Sequence, residues 1–194
     1  MKRILKWIGI VLGSLVGVLI VACLVLYVMG NMRINKVYKF PASNIVLPTD
    51  PASLEYGKHR VESLCAGCHG ADLSGQEKWF NGGPLGTIDT ANLTAGEGGI
   101  GQEYTSTEDY VLAIRHGVDP EGKPIYMPAV VSTAHLSDKD RGAVIACLKS
   151  IPPVNHKPKG KQFTPLANIL FAAGILGKLP VEAVSHTTQV SAPQ

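Results

Sequence analysis

The stretch "ESLCAGCHGADLSG", residues 62–75, carries the most specific pattern in the chain. Two cysteines, Cys65 and Cys68, stand three positions apart, and His69 follows the second directly. On a helix this spacing is close to one turn, so the two thiols share a face and the imidazole lies beside them. The pattern is typical of metal or cofactor chemistry, and the other ligands have to come from elsewhere in the chain.

Three kinds of site use cysteines at this spacing. A structural zinc site needs four ligands, and the sequence holds no second C-x-x-C and no H-x-x-x-H. A thioredoxin-like redox pair needs a βαβ setting, which the chain does not indicate. A c-type haem needs two thiols, each adding to one vinyl group, and an adjacent histidine for the iron. The sequence therefore favours one covalent haem c on Cys65, Cys68 and His69.

The sixth iron ligand can be sought by elimination among methionines and histidines. Three of the four methionines lie in or beside an apolar N-terminal run, namely Met1, Met29 and Met32. Met127 lies instead in "PIYMPAV", in a predicted loop between two helices. The competitors are His116 and His135, and we expect both at the surface. Met127 is therefore the predicted sixth ligand.

The N-terminal residues predict a membrane anchor. Lys2, Arg3 and Lys6 precede a run without charge that extends to residue 32. About 20 apolar residues suffice to cross the hydrocarbon core, so we interpret residues 1–32 as an uncleaved signal anchor with residues 7–30 in lipid. An alternative is that "IVAC" marks Cys23 for lipidation. Positive charges flank the run on both sides, so charge alone does not orient it.

The remaining chain divides into a proline-containing extended linker at 33–52, a domain at 53–155 and a tail at 156–194. The sequence of the domain predicts an all-α fold of three or more helices. The first covers residues 53–66, the second is capped by Ser106 and ends at Gly117, and the third is capped by Ser137. Residues 70–104 show no strand alternation and are interpreted as loops. Such long loops bury little apolar area, and a large flat cofactor would supply a core.

Composition narrows the function and the chemistry further. The net charge of +3 is too small to indicate a nucleic-acid-binding protein. The four cysteines do not form a disulfide framework, and Cys147 reads as a small buried apolar residue. The uncharged run at 166–176 of the tail is too short to span a membrane. It could pack on the domain, lie at the membrane surface or bind a partner subunit.

Together these features resemble class I c-type cytochromes, and in particular the membrane-anchored monohaem cytochromes of bacterial dehydrogenases and quinol-oxidising respiratory complexes. The resemblance covers residues 54–153. It rests on "CAGCHG", on "ANLT" at 91–94, on "AIRHGVDPEGKPIYMP" at 113–128 and on "LSDKDRGAVIACLKSIPPV" at 136–154. It implies the class I cytochrome c fold around one covalent haem, with an N-terminal transmembrane helix.

The resemblance also implies roles for individual residues. Cys65 and Cys68 would attach the haem, His69 would be the proximal ligand and Met127 the distal one. Class I cytochromes use a proline carbonyl to accept the hydrogen bond from the ligand histidine, and Pro84 is the candidate in this sequence. Two further residues would approach the haem propionates, namely Asn92 and Arg115.

The function implied is single-electron transfer between a membrane or periplasmic donor and an acceptor, as a non-catalytic subunit of a respiratory oxidoreductase complex. The expected partners are redox proteins, the other subunits of that complex and membrane lipid. Because haem c is attached outside the bacterial inner membrane, residues 33–194 should face the periplasm. The alternatives are a haem enzyme, such as a peroxidase or a dehydrogenase subunit, and a haem-based sensor.

Overall fold

The computed structural model describes residues 1–187. It is mostly helical, which confirms the predicted fold class. The helices are α1 (Lys2–Ile34), α2 (Pro51–Leu64), α3 (Ala66–His69), α4 (Ile100–Glu103), α5 (Thr107–Val111), α6 (Val130–Thr133), α7 (Asp138–Ser150), α8 (Pro165–Ala172) and α9 (Pro180–Ala183). A 3₁₀ turn covers Gly83–Leu85, and a π-helical turn, Leu112–His116, continues α5. The strands are β1 (Phe80–Asn81), β2 (Gly86–Ile88) and β3 (Lys161–Phe163).

The helix starts follow from side-chain caps. The Ser106 hydroxyl accepts from the Asp109 amide at 3.2 Å, and the Asp109 carboxylate accepts from the Ser106 amide in return. The Ser137 hydroxyl accepts from the Asp140 amide at 3.1 Å and caps α7, so both predicted caps are confirmed. Helix α2 begins before the predicted residue 53, because the Asp50 carboxylate accepts from the Ser53 amide and caps it.

The centre of the domain is the crossing of α2 and α7. A Cβ built on Gly57 would lie 2.2 Å from the carbonyl oxygen of Ala143, so the two helices touch through their backbones. This close approach brings their apolar faces into one buried cluster, which includes Val61, Leu93, Tyr110, Val144, Ile145 and Leu148. Only a residue without a side chain at position 57 allows this packing.

The predicted linker has almost no regular structure after α1, but it is not a free tether. The Tyr38 amide donates to the Gly122 carbonyl at 2.8 Å. The Ser43 amide and hydroxyl both donate to the Glu108 carboxylate. Ile45 and Leu47 pack against the buried cluster of the domain. The linker sequence therefore encodes contacts with the domain, which its proline content did not reveal.

The predicted loops at 70–104 contain two short strands, and a third comes from the tail. Strand β1 pairs with β2, and β2 pairs with β3, both antiparallel. In this register Gly86 faces Phe163 and Ile88 faces Lys161. The strands have only two or three residues each, which is too short for a visible alternation in the sequence.

Helix α1 is long and apolar enough to cross a membrane, which is compatible with a single-pass anchor. It passes through Cys23 without a break. Its last turn packs against the tail, because a Cβ on Gly30 would lie 1.8 Å from the carbonyl oxygen of Asn168. Arg33 pairs with Glu182 at 2.6 Å and also donates to the carbonyls of Phe171 and Gly177. The tail thus packs on the domain and on the end of the anchor, and its residues 188–194 lie outside the described part of the chain.

The α2–α7 crossing predicts the effect of filling position 57. Gly57→Ala should lower the free energy of unfolding by about 1–3 kcal/mol, because the methyl group would force two backbones apart. Denaturant titration followed by far-ultraviolet circular dichroism measures this change. Lys58→Ala, at an exposed neighbouring position on α2, is the control and should change stability little. Equal stability of both variants would contradict the backbone contact.

Candidate functional site

One largely apolar cavity of about 410 Å³ lies at the centre of the domain. Cys65, Cys68 and His69 line it from the end of α2 and from α3, and Met127 lines it from the segment before α6. The apolar part of the wall includes Leu64, Leu93, Ile100, Ile114, Val144 and Leu148. The structure therefore brings the four predicted haem ligands and attachment points to one cavity.

The Cys-x-x-Cys-His segment is held as a helical turn. The Cys65 amide donates to the Val61 carbonyl at 2.8 Å, and the His69 amide donates to the Cys65 carbonyl at 2.9 Å. Gly70 then ends the turn with a φ of 84°, which favours glycine. Burial raises the pKa of the Cys65 thiol to about 11, so its sulfur is neutral at physiological pH. A neutral, partly buried sulfur beside an apolar cavity suits a thioether bond.

The His69 ring is oriented by a backbone carbonyl. Its Nδ1–H donates to the carbonyl oxygen of Ala91 at 2.7 Å, which leaves the lone pair of Nε2 for a metal. Burial lowers the pKa of His69, which keeps the imidazole in the neutral form that binds iron. The prediction that Pro84 accepts this hydrogen bond is wrong. The Pro84 carbonyl instead accepts from the Thr164 hydroxyl of the tail at 2.7 Å. The acceptor need not be a proline, because any backbone carbonyl at this position can accept the hydrogen bond from the histidine.

The loop that carries Ala91 is itself fixed against the cysteine segment. The Thr90 hydroxyl donates to the Cys68 carbonyl at 2.8 Å, and the Leu93 amide donates to the Leu73 carbonyl at 2.8 Å. A Cβ on Gly75 would lie 2.4 Å from the Thr90 carbonyl oxygen, so glycine allows the loop to approach this closely. These contacts determine where the Ala91 carbonyl points.

Asn92 does not have the predicted role at the haem propionates. Its side chain is fully buried, and its amide group donates to the carbonyls of Val154 and His156. Its side-chain oxygen accepts from the amide and the hydroxyl of Thr94. This leaves no hydrogen-bonding capacity for a further partner. Arg115 lies outside the cavity wall, and its contact with a propionate stays a prediction.

The segment around Met127 is held by backbone hydrogen bonds. The Ile125 amide donates to the Gly117 carbonyl at 3.0 Å, and the Val130 amide donates to the Met127 carbonyl at 3.0 Å. The Thr133 hydroxyl donates to the Ile114 carbonyl of the π-helical turn at 2.7 Å. π-Helical turns are rare and occur frequently at functional sites. Together these bonds position the thioether in the cavity wall.

The two histidines that competed with Met127 lie outside the cavity. His135 is exposed, as predicted. The prediction that His116 is at the surface is wrong, because the ring is buried and stacks on Phe40 with the ring centres 4.0 Å apart. Its Nδ1 is hydrogen-bonded to Nδ1 of His186 at 2.9 Å. The linker and the tail cover His116, and their contacts could not be read from the sequence.

The donor set and the cavity fit a haem group. Two thiols and a neutral imidazole come from one segment of the wall, a thioether comes from another, and most of the remaining wall is apolar. The family model for cytochrome c matches residues 54–152, just over half of the chain. The chain belongs to the cytochrome c family. No curated protein matches it closely.

As a cytochrome c, the protein carries covalently bound haem c. The haem supplies an iron that exchanges one electron at a time. Cys65 and Cys68 would form the thioether bonds, and His69 and Met127 would bind the iron. The Ala91 carbonyl holds the His69 ring in place, and the apolar wall would limit the access of water to a bound haem.

Several residues of the site were not predicted. The Ala91 carbonyl carries no signal in the sequence, because every residue type has a carbonyl. Trp79 lines the cavity from the segment just before β1, and Gly160 and Lys161 line it from the tail. The family match ends at residue 152, before the tail begins. The part of the site contributed by the tail could be found only from its pairing with β2.

The attachment role of the cysteines predicts covalent haem. The wild type should keep its haem through denaturing electrophoresis, and the double variant Cys65→Ala/Cys68→Ala should lose it completely, because no thiol would remain at the cavity for a thioether bond. Haem staining of the gel measures this. Cys147→Ala, which changes a thiol that does not line the cavity, is the control and should keep the haem. Retention of covalent haem by the double variant would contradict the assignment.

The position of Met127 predicts a change of iron coordination. The oxidised wild type should show the weak absorption band of sulfur-bound ferric iron at the red end of the visible spectrum, and Met127→Ala should lose it. The variant should also bind carbon monoxide when reduced, and its potential should fall, because a water or nitrogen ligand stabilises ferric iron better than sulfur does. His135→Ala is the control and should keep the band. Survival of the band in Met127→Ala would require another sulfur ligand.

Proposed function

We propose that this cytochrome is a membrane-anchored monohaem electron carrier of the bacterial inner membrane. It passes single electrons between a membrane or periplasmic donor and an acceptor, as a non-catalytic electron-transfer subunit of a respiratory oxidoreductase complex. The observation that carries the proposal is that His69 and Met127 line the same largely apolar cavity. With both residues bound to it, the iron would have no open position for a substrate.

The chemistry of the wall supports a carrier rather than an enzyme or a sensor. A thioether ligand and an apolar surrounding both favour ferrous iron and raise the potential. Met127 lies in a segment with backbone bonds on both sides, which supports its role as a permanent ligand. A peroxidase or a gas sensor needs an iron position that opens, so a held Met127 favours the carrier.

The contacts of the anchor support a fixed position of the haem at the membrane. Arg33 at the end of α1 binds the tail through Glu182 and two carbonyls, and the tail strand β3 pairs with β2 of the domain. The haem domain is therefore bound to its anchor by more than a flexible linker. A haem kept near the membrane surface has a high effective concentration towards integral donors and acceptors.

An exposed aromatic pair supports docking of a redox partner near the haem. Trp79 lines the cavity and is 38% exposed, and its neighbour Phe80 is 45% exposed. Exposed aromatic side chains are enriched at protein interfaces. A partner that covers this pair would lie against the wall of the haem cavity, which shortens the path for the electron.

The periplasmic location follows from the haem itself in this proposal. Haem c is attached on the outer side of the bacterial membrane, so the domain that carries Cys65 and Cys68 must have crossed it. Helix α1 then has its N-terminus, with Lys2, Arg3 and Lys6, in the cytoplasm. The carrier would receive and deliver electrons on the periplasmic side.

An experiment on intact spheroplasts tests both the location of the haem and the absence of an open position on the iron. Membrane-impermeant ferricyanide should oxidise the cytochrome at once, because the haem faces outward. Carbon monoxide added after reduction should leave the spectrum of the wild type unchanged, whereas Met127→Ala in the same spheroplasts should respond. The measurement is the reduced-minus-oxidised spectrum before and after each addition.

Each part of the proposal can fail separately in this experiment. Oxidation only after the membrane is broken would place the haem in the cytoplasm. A carbon monoxide response of the wild type would favour the enzyme or the sensor. Solubilisation of the same membranes in mild detergent should yield the cytochrome with at least one further redox subunit, and a lone chain would contradict the role in a complex.

A further inference from the structure

The tail contributes to the wall of the haem cavity. Strand β3 pairs with β2 and places Gly160 and Lys161 among the residues that line the cavity. Lys161 faces Ile88 in the register of the two strands, and Ile88 lines the same cavity. A segment beyond the residues that match the family model therefore brings a lysine to the wall of the cavity.

Lys161 has no carboxylate partner among the residues that the structure describes. Its Nζ donates to the carbonyl oxygen of Pro124 at 2.7 Å, and this is a neutral acceptor. Asp119 also lines the cavity, but the two charges interact only at longer range. Burial lowers the pKa of the Lys161 ammonium, the negative charge of Asp119 opposes this shift, and the positive charge of Lys123 adds to it.

The Lys161 ammonium can still bind an anion. Its side chain is exposed, and its bond to the Pro124 carbonyl leaves two of the three N–H donors for a further partner at the cavity. Haem carries two propionate carboxylates, which need cations or hydrogen-bond donors within the protein. Asn92 is fully occupied by other partners, and Arg115 lies outside the cavity wall.

We propose that Lys161 of the C-terminal tail is the cation that binds a haem propionate, so that the tail completes the haem site. The lysine then has two tasks. It neutralises a negative charge near the iron, and through the Pro124 carbonyl it ties the tail to the segment that leads to Met127. The other charged groups at this part of the wall are Asp119 and Asp89, and Lys123 is close by. Asp89 is held by the backbone amides of Lys78 and Lys159.

The redox potential of the full-length protein tests this proposal. Lys161→Gln should lower the potential at neutral pH, because it removes a positive charge beside the haem and leaves the propionate uncompensated. Lys159→Gln removes the same charge two residues away, from a side chain that does not line the cavity, and is the matched control. Its potential should shift clearly less than that of Lys161→Gln.

The pH dependence of the redox potential distinguishes a direct pair of Lys161 and the propionate from the long-range effect of any positive charge on the potential. Without the ammonium, the propionate should keep its proton to higher pH, because burial favours the neutral form. Below that pKa the carboxyl is neutral and the potential stays high. Above it the negative charge stabilises ferric iron and the potential falls. Lys161→Gln should therefore gain a slope between about pH 5 and pH 8 that the wild type and Lys159→Gln lack.

A spectroscopic measurement and a rescue variant distinguish the loss of the lysine–propionate pair from a structural change caused by the substitution. With ¹³C-labelled propionates, the redox difference infrared spectrum of Lys161→Gln should show a protonated carboxyl band that is absent from the wild type. Lys161→Arg, which keeps the charge, should restore both the spectrum and the flat pH profile. The proposal is overturned if Lys161→Gln matches Lys159→Gln in potential, pH slope and infrared spectrum while its haem band is intact.

Discussion

The hydrogen bond from Nδ1 of His69 to the Ala91 carbonyl is the contact on which the haem site depends. It joins the helical turn of the Cys-x-x-Cys-His segment to a loop that comes 22 residues later. That loop can reach the ring only because Gly75 lets its backbone pass closely and because Thr90 binds the Cys68 carbonyl. The ring orientation is thus determined by backbone geometry on both sides, with the iron-binding nitrogen directed away from the bond.

The elements that short local patterns determine could be predicted from the sequence. The elements that depend on contacts between distant segments of the chain could not. The caps Ser106 and Ser137, the helical turn at Cys65–His69 and the position of Met127 in the cavity follow from short patterns. The hydrogen-bond acceptor for His69 could not be predicted, because every residue type has a backbone carbonyl. Asn92 was assigned to the haem from the resemblance to class I cytochromes, whereas its burial between Val154 and Thr94 depends on the segment after α7.

The structure of the tail could be predicted from the sequence even less well than that of the domain. A three-residue strand has no periodicity of its own, and β3 exists because β2 offers a free edge at Gly86–Ile88. Gly86 permits this pairing, since a Cβ there would lie 1.9 Å from the Gln162 carbonyl oxygen. The apolar run at 166–176 likewise finds its place on α1 through Gly30 and Asn168. These are contacts between distant segments, which no single stretch of sequence predicts.

The pairing of β3 with β2 has a consequence for how the molecule is made. In the proposed topology the residues after α1 cross the membrane in chain order, so Cys65 and Cys68 arrive almost a hundred residues before Lys161. Until the tail arrives, the cavity lacks the wall formed by Gly160 and Lys161. The tail is then the last part of this wall to be added, and it also binds Arg33 at the end of α1.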